Sequence, residues 1–132
     1  MPRDNKEALL ILVVENEQEI RDGIEELLKA DGYRVDPARD EGDAVAKARR
    51  ASPDLILVSL SGSTADAIAE ASSIRERAGL GQDIPVVIFS VQTIAEGAEK
   101  KIEANIYLTR PDNFDQLRAL LRRLLSESPP AS

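Results

Sequence analysis

LLILVV, residues 9–14, is an apolar run without a polar interruption, and it ends abruptly at Glu15 and Asn16. Such a short run of leucine and β-branched residues is typical of a strand that is covered on both faces, as in a parallel sheet. Apolar residues at helical spacing follow over residues 20–28. The run therefore predicts the first strand of an α/β domain, with an amphipathic helix directly after it.

The same alternation continues along the rest of the chain. The apolar runs predict strands at residues 9–14 (LLILVV), 33–35 (YRV), 55–60 (LILVSL), 86–90 (VVIFS) and 106–108 (IYL). Helical spacing of apolar residues predicts helices around residues 20–28, 44–48, 67–74, 94–102 and 114–124. Strands that alternate with helices in this way, with right-handed crossovers, predict a parallel sheet with helices on both faces.

Composition limits the chemistry that this chain can perform. It has 132 residues, of which 42% are hydrophobic and 31% charged, a balance typical of a single globular domain. The net charge of −7 argues against direct binding of nucleic acid. Because Cys and His are both absent, thiol chemistry, the usual zinc sites and every Ser–His or Cys–His dyad are excluded. We expect a non-enzymatic protein.

The ends of the chain carry no targeting signal that we recognise. The longest apolar run, residues 8–14, is well below the roughly 18 residues that a membrane helix needs, and acidic residues follow it. We expect a cytoplasmic protein that does not contact the membrane. Residues 1–7 and 126–132 are predicted to be flexible, the latter a tail or linker stub, around a domain at 8–125.

Candidate site residues follow the predicted strands. In an open parallel sheet, ligands bind beyond the carboxyl ends of the strands. Five groups of residues reach that edge: Glu15 with Asn16, Ser59, the loop Ser61–Thr64, Ser90–Gln92 and Thr109–Pro111.

Four phrases, ILVVENE, SPDLILVSL, IPVVIFS and YLTRP, occur in this order along the chain. Through them, Ala8 to Leu125 resembles the receiver domain of bacterial response regulators, the CheY-like family. The resemblance implies a doubly wound (βα)5 flavodoxin-like three-layer sandwich with strand order 2-1-3-4-5. It also implies a phosphorylation site at the strand ends. In the family, an acidic pair and a strand-end aspartate hold Mg²⁺, and the aspartate accepts a phosphoryl group. In the family, a Thr or Ser and a Lys before Pro detect the phosphoryl group.

This sequence departs from the family pattern at most of these positions. Glu15 and Asn16 stand at the acidic pair, Ser59 at the phosphoacceptor, Ser90 at the Thr/Ser position, Arg110 at the lysine, Pro111 after it, and Tyr107 at the switch aromatic. The family's Lys–Pro bond is usually cis, so the resemblance implies a cis bond between Arg110 and Pro111.

Charge arithmetic argues against a working phosphorylation pocket. A carboxylate about 4 Å from a dication contributes about 8 kcal/mol at an effective dielectric of about 20, and a cation opposes it by a similar amount. Glu15 and Arg110 nearly cancel, and Asn16 and Ser59 bring only neutral oxygens. We expect weak or absent Mg²⁺ binding and no other cofactor. Ser59 also lacks the base that activates a serine nucleophile.

Several of these residues have a structural interpretation as well. Glu15 and Arg110 are expected to form an ion pair that fills the pocket. Asn16, three residues before Glu19, has the spacing of a helix N-cap. The loop Ser61–Thr64 opens a helix, where it either binds an anion or simply caps the helix. Tyr107 is either a switch residue or a half-buried strand tyrosine that packs on the fourth helix.

Charges near the end of the chain suggest a possible homodimer face. Arg118 and Arg122 are four residues apart on the last predicted helix, and Glu96, Glu99 and Glu103 lie on the predicted fourth helix. In the family, these helices flank the fifth strand and this face often dimerises. A solvated surface is the alternative, since exposed pairs are worth only about 0–1 kcal/mol each.

The leading hypothesis is a degenerate receiver domain of two-component phosphorelay signalling that acts as a phosphorylation-independent protein-interaction module. Its partner would be a kinase or effector that docks on the fourth helix, fifth strand and fifth helix, or on the loops around the former pocket. One alternative is a conventional receiver that uses another acceptor, with Asp66 and Asp40 as candidates. The other is a small flavodoxin-like or nucleotide-binding protein that uses Ser61–Thr64.

Overall fold

Six strands and four helices are found in the part of the chain that the computed structural model describes, residues 9–59, 64–81, 83–89, 99–103, 105–109 and 114–127. In chain order they are β1 (Leu10–Val14), α1 (Gln18–Ala30), β2 (Arg34–Ala38), α2 (Glu41–Arg50), β3 (Leu55–Val58), α3 (Thr64–Arg77), β4 (Val86–Phe89), β5 (Glu99–Glu103), β6 (Ile106–Thr109) and α4 (Phe114–Glu127). The predicted flexible ends at 1–7 and 126–132 fall almost entirely outside these residues, although α4 continues to Glu127.

The strands form one sheet in the order β2-β1-β3-β4-β6-β5. Its first five members are parallel to their neighbours, and β6 is the fifth parallel strand. The predicted order 2-1-3-4-5 and the predicted fold class are therefore confirmed. The carboxyl ends of β1 and β3 lie side by side at the centre of the sheet, because Val14 pairs with Val58.

The helix predicted around residues 94–102 is wrong where the structure describes it. Residues 99–103 form the strand β5, which runs antiparallel to β6 at the edge of the sheet. The turn between the two strands includes Asn105, whose φ of 56° lies in the left-handed region that asparagine tolerates well. Only three apolar residues supported the helix, so hydrogen bonding to β6 outweighs a weak helical pattern.

Strand β2 is the opposite edge of the sheet and contains Pro37. Proline is compatible with an edge strand because its missing N–H can face away from the neighbouring strand. The Lys47 ammonium on α2 donates a hydrogen bond to the Pro37 carbonyl oxygen. The sequence prediction ended this strand at Val35, and the edge position explains why the strand continues through the proline.

Two apolar clusters lie on the two faces of the sheet, as the period of two in the strands requires. One contains Leu12, Val14, Ile56, Val58 and Ile88 together with apolar residues of α2 and α3. The other contains Ile11, Val13, Leu55, Leu57 and Val87 with residues of α1 and α4. The structure thus has the predicted three layers. Among the described residues, no helix has the length and apolar character needed to cross a membrane.

Candidate functional site

The candidate site lies where β1 and β3 end beside each other. Because Val14 pairs with Val58, Glu15 and Ser59 are the next residues on the two neighbouring strands. The Ser59 amide donates to the Val14 carbonyl oxygen at 2.8 Å, and the Glu15 amide donates to the Ala38 carbonyl oxygen at 3.0 Å. The sheet therefore positions both residues at its carboxyl edge, as the sequence predicted.

The Glu15 side chain is held by the start of α1. This residue is only 3% exposed, and its Oε2 accepts a hydrogen bond of 2.9 Å from the Glu17 amide. Its carbonyl oxygen accepts a bond of 2.7 Å from Arg21 Nη1. The carboxylate is thus bonded to local backbone, and a cation on the first half of α1 lies beside the strand end. Sequence reasoning missed Arg21, since nothing in its spacing from Glu15 predicts this contact.

Asn16 is not the N-cap of α1, contrary to the sequence prediction. The cap residue is Glu17, which makes no side-chain cap hydrogen bond, and Asn16 is exposed. The physical reason is local: because the Glu15 carboxylate accepts the Glu17 amide, the chain reaches helical geometry one residue later than the Asn16–Glu19 spacing predicts.

Ser59 is partly exposed and follows the buried strand β3. The next loop residues, 60–63, lie outside the described residues, and Thr64 is the first residue of α3. Neither a capping role nor anion binding by Ser61–Thr64 is therefore tested by the structure.

The described donor set does not fit a Mg²⁺ ion of the kind that the family resemblance implies. Magnesium needs octahedral oxygen ligands and usually one or two available carboxylates. Here the Glu15 carboxylate already accepts a backbone amide, and Ser59 supplies a neutral hydroxyl at most. No group of three or more acidic, His or Cys residues able to hold a metal occurs in the described part of the chain.

Several predicted site residues lie outside the described residues: Ser90, Glu96, Arg110 and Pro111. The expected Glu15–Arg110 ion pair and the expected cis Arg110–Pro111 bond therefore stay predictions. Tyr107 is described and lies on β6, half-buried against the cluster that α4 covers. Its hydroxyl donates to Asn105 Oδ1 at 3.3 Å. The packing partner expected for this tyrosine was a helix over 94–102, and strand β5 occupies the described part of that segment.

The predicted homodimer is not tested by the structure, but the helix that was expected to carry its acidic residues is wrong where it is described. Glu99 and Glu103 lie on the strand β5 and not on a helix, so an acidic helix face over these residues does not exist. Arg118 is already engaged within the chain: its Nε and Nη2 donate to the two Asp31 oxygens at 2.7 and 2.6 Å, and its Nη1 donates to Asp115 at 2.9 Å. The hydrogen bonds that Arg118 donates to Asp31 and Asp115 raise its pKa above the ordinary value. Arg122 is exposed on the same helix.

The two alternative phosphoacceptors have other positions in the fold. Asp40 caps α2, and its Oδ1 accepts the Asp43 amide at 2.8 Å. Asp66 is exposed in the first turn of α3. Neither follows directly on a strand of the sheet, so neither has the strand-end position of Ser59.

An ionisable cluster connects α2 with α3. The Glu41 carboxylate accepts hydrogen bonds from the Ser73 hydroxyl and, at 2.7 Å, from Arg77 Nη1. The bond from Ser73 lowers the pKa of Glu41, and Arg77 adds to this effect. Burial raises the pKa of the neighbouring Glu70, and the nearby charges of Glu41, Asp66 and Asp40 raise it further. These contacts attach the two helices to each other on one face of the sheet.

Helix α1 exposes part of the apolar pattern by which the sequence predicts it. Ile24 and Leu28 are buried as predicted, but Ile20 is 48% and Leu27 46% exposed. Residues seven apart lie on one side of a helix, two turns from each other. Together with Gly23 between them, Ile20 and Leu27 form what we call the α1 stripe.

Comparisons with known proteins agree with the fold. The family model for the response regulator receiver domain matches residues 11–122. The transcriptional regulatory protein KdpE of Staphylococcus aureus is 33% identical over 116 residues, which cover 85% of this chain and 48% of KdpE. The chain spans about half the length of the curated relatives it matches first.

Solved structures show the same fold. A signal receiver domain of a histidine kinase from Syntrophus aciditrophicus superposes with a TM-score of 0.71 at 24% identity, and the match covers 91% of this chain and 92% of that one. The Thermotoga maritima response regulator TrrA, solved in complex with the histidine kinase ThkA, gives a structure with a TM-score of 0.69 at 22% identity, with 89% and 98% covered. Because the family model matches most of the chain and the sheet order agrees with it, the chain belongs to the response regulator receiver domain family.

Proposed function

We propose that this chain is a receiver domain that acts through protein contacts and without aspartyl phosphorylation. The observation that carries the proposal is Ser59, which occupies the end of the strand beside Glu15. The family's acceptor at this position is an aspartate, whose carboxylate takes the phosphoryl group as an acyl phosphate. A hydroxyl without a base is neither that acceptor nor a ligand with the charge that Mg²⁺ prefers.

The environment of Glu15 supports the same proposal. Its carboxylate is bonded to the Glu17 amide, and the Arg21 guanidinium lies against its carbonyl oxygen. A dication near this strand end would compete with the Glu17 amide for the Glu15 carboxylate and would be repelled by the Arg21 guanidinium, and both effects cost free energy. The pocket is therefore stable without a ligand, which favours one fixed conformation of the domain.

The partner class that we propose is a histidine kinase or an effector of a two-component system. The complex of TrrA with the kinase ThkA supports this class. We propose the α1 stripe as the docking surface, in place of the face that included Glu99 and Glu103. Ile20 and Leu27 supply apolar contact, and exposed carboxylates at Glu19, Asp22 and Glu26 surround them. A partner helix with apolar and basic side chains fits this surface.

The phosphorylation test compares the natural chain with a variant in which the family residues are restored, N16D/S59D/R110K. Each is incubated with Mg²⁺ and acetyl phosphate, and its intact mass is measured. We expect no mass gain for the natural chain and the gain of one phosphoryl group for the restored variant. A stoichiometric, Mg²⁺-dependent gain in the natural chain overturns the proposal, and peptide mapping to Asp40 or Asp66 would establish the conventional alternative.

The docking test measures binding to the cognate kinase by fluorescence anisotropy. Leu27→Glu and Ile20→Glu are expected to weaken binding at least tenfold, because a carboxylate is placed in an apolar contact. Ala46→Glu, an exposed change on α2 across the sheet, is the control and should bind as the natural chain does. Equal binding by all three variants would exclude α1 as the docking surface.

The flavodoxin-like alternative is tested by the absorption spectrum and by thermal unfolding with added flavin or nucleotide. We expect a colourless protein whose Tm does not change. A bound chromophore or a concentration-dependent rise in Tm would favour that alternative.

A further inference from the structure

A groove opens at the amino-terminal end of β2, far from the candidate site at the carboxyl ends of the strands. We call it the β2 groove. Its apolar floor is Leu10, Tyr33 and Val35, and its cationic rim is Lys29, Arg34 and Arg50. The cavity volume of 680 Å³ lies within the range of about 300–1,000 Å³ that is usual for small-molecule sites. Nothing in the proposed signalling function uses this groove.

The charge of the groove differs from that of the whole chain. Three cationic side chains and one carboxylate, Asp36, line it, whereas the whole chain has a net charge of −7. The carboxyl-terminal ends of α1 and α2 are also here, and each contributes about −0.5 of an elementary charge. After both helix ends and the Glu25 carboxylate that pairs with Lys29 are counted, the local charge is about zero, so the groove is close to neutral in a chain that is otherwise strongly negative.

The rim cations differ in how firmly they are engaged. Lys29 forms a solvent-facing pair of 2.8 Å with Glu25, an interaction of the kind that contributes little and that a ligand can replace. Arg50 is exposed and forms no ion pair with another described residue. It is therefore the rim residue most available to an incoming anion.

The backbone of β2 adds a directed donor. Arg34 donates its amide to the Leu9 carbonyl oxygen of the neighbouring chain segment at 2.9 Å. In a parallel pair, alternate residues bond to the same neighbour, so the amide and carbonyl of Val35 point away from β1, toward the groove. At Gly32, with φ of 96°, the backbone leaves open space where a side chain would stand. An apolar lining, a backbone donor and guanidinium groups thus meet along one edge of the sheet, where Tyr33 and Val35 lie on the face that α1 covers and Arg34 lies on the opposite face.

The second described cleft makes a useful comparison. It has 440 Å³ and is lined by Arg21, Arg39 and Lys47 with two aspartates. Lys47 bonds the Pro37 carbonyl and lies 3.6 Å from Asp43, and Arg21 bonds the Glu15 carbonyl. Because two of its three cations are engaged by backbone carbonyls and the cleft has no apolar floor, it fits an organic ligand less well.

We propose that the β2 groove binds a small organic anion with a planar apolar body and one carboxylate or phosphate group. The body lies on Tyr33 and Val35, and the anionic group meets Arg50 and the Val35 amide. Through this site the receiver domain would bind a small ligand without being phosphorylated. The proposal does not depend on the proposed function.

The test uses the full chain and the fluorescent probe 1-anilinonaphthalene-8-sulfonate, whose sulfonate has the required charge. We expect saturable binding with amide shifts at Gly32 and Val35 in ¹H–¹⁵N spectra. Arg50→Glu should weaken binding of the probe at least tenfold. Arg49→Glu is the matched control, because Arg49 is exposed on the same helical turn but outside the described lining. It should change the affinity less than twofold.

Three further measurements complete the test. N-Phenyl-1-naphthylamine, the neutral analogue, should bind at least tenfold more weakly. Competition with 1-naphthoate and 1-naphthyl phosphate decides which anionic group is preferred. Arg50→Gln is measured too, because this milder change should also weaken binding and would show that the loss in Arg50→Glu is not caused by poor folding. The proposal fails if shifts occur only on α1, if Arg49→Glu and Arg50→Glu behave alike, or if the neutral analogue binds equally well.

Discussion

Arg118 on α4 and Asp31 at the end of α1 form an ion pair with two hydrogen bonds, of 2.7 and 2.6 Å, across 87 positions of sequence. Asp31 is the C-cap residue of α1, where a negative charge is unfavourable because the carboxyl end of a helix carries partial negative charge. Arg118 offsets that charge and attaches α4 to α1. The pair therefore holds together the two helices that cover one face of the sheet.

The first prediction concerns the asymmetry of this pair. Arg118→Gln is expected to lower the Tm clearly more than Asp31→Asn, because the arginine variant leaves Asp31 uncompensated at the helix end. The double variant should resemble Asp31→Asn alone. Thermal unfolding at low and high salt checks this, since salt should reduce the difference. A double variant less stable than Arg118→Gln would contradict the interpretation.

The second prediction separates two neighbouring leucines of α1. Leu28 is fully buried and Leu27 is 46% exposed. Leu28→Ala should lower the free energy of unfolding by about 2–5 kcal/mol, because it leaves a cavity in the core. Leu27→Ala should stay within about 0.5 kcal/mol, as is usual for surface positions. Urea denaturation measures both, and comparable losses would show that the α1 stripe is packed and not exposed.

The third prediction concerns pH and the contact between α2 and α3. Since the pKa of Glu41 is lowered in the folded state, its contribution to stability is present above the unfolded pKa and is lost as the pH falls through the folded value. Ser73→Ala removes the first cause of this shift and should cost about 1–2 kcal/mol near neutral pH. In Glu41→Gln, the part of the stability loss at low pH that comes from protonation of Glu41 should disappear.

Denaturation curves between about pH 3 and pH 7 check the third prediction, since an ordinary Glu carboxyl titrates near about 4.3. Ser72→Ala, the neighbouring half-exposed serine, is the control and should follow the natural chain. If Ser73→Ala lost the same stability at both ends of the pH range, the hydroxyl would not act through the Glu41 carboxylate.

The fourth prediction tests the hairpin of β5 and β6. Asn105 has a φ of 56°, a conformation that costs an ordinary residue roughly 1–2 kcal/mol. Asn105→Gly should therefore be tolerated, whereas Asn105→Val should destabilise the chain by at least that amount. Amide hydrogen exchange adds a direct measurement, because residues 99–103 should be protected through bonds to β6. Helical chemical shifts over these residues would contradict the strand.

The parts of the fold that the sequence predicts well depend on strong, local patterns. The run at residues 9–14 is short, rich in leucine and β-branched residues and has no polar interruption, which favours a buried strand, and β1 covers Leu10–Val14. Because β1 and β3 are parallel, the position of Glu15 beside Ser59 also follows from the order of the strands.

The errors occur where long-range contacts outweigh a local pattern. The segment 94–102 has helical spacing, but pairing with β6 decides its described part. Asn16 has the spacing of a cap, but the Glu15 carboxylate takes the Glu17 amide. The pairing of Arg118 with Asp31 depends on how α4 packs against α1, which no single-sequence pattern contains.

Pro37 also affects how readily the chain aggregates through the edge of its sheet. Pro37 gives the outer edge of β2 no amide hydrogen to donate, and the Lys47 ammonium already binds the Pro37 carbonyl oxygen. A strand from another molecule that paired with this edge would lack the backbone hydrogen bonds at Pro37. Fibril growth from this side is thereby discouraged, and concentrated samples should resist it better than a variant with a β-branched residue in place of the proline.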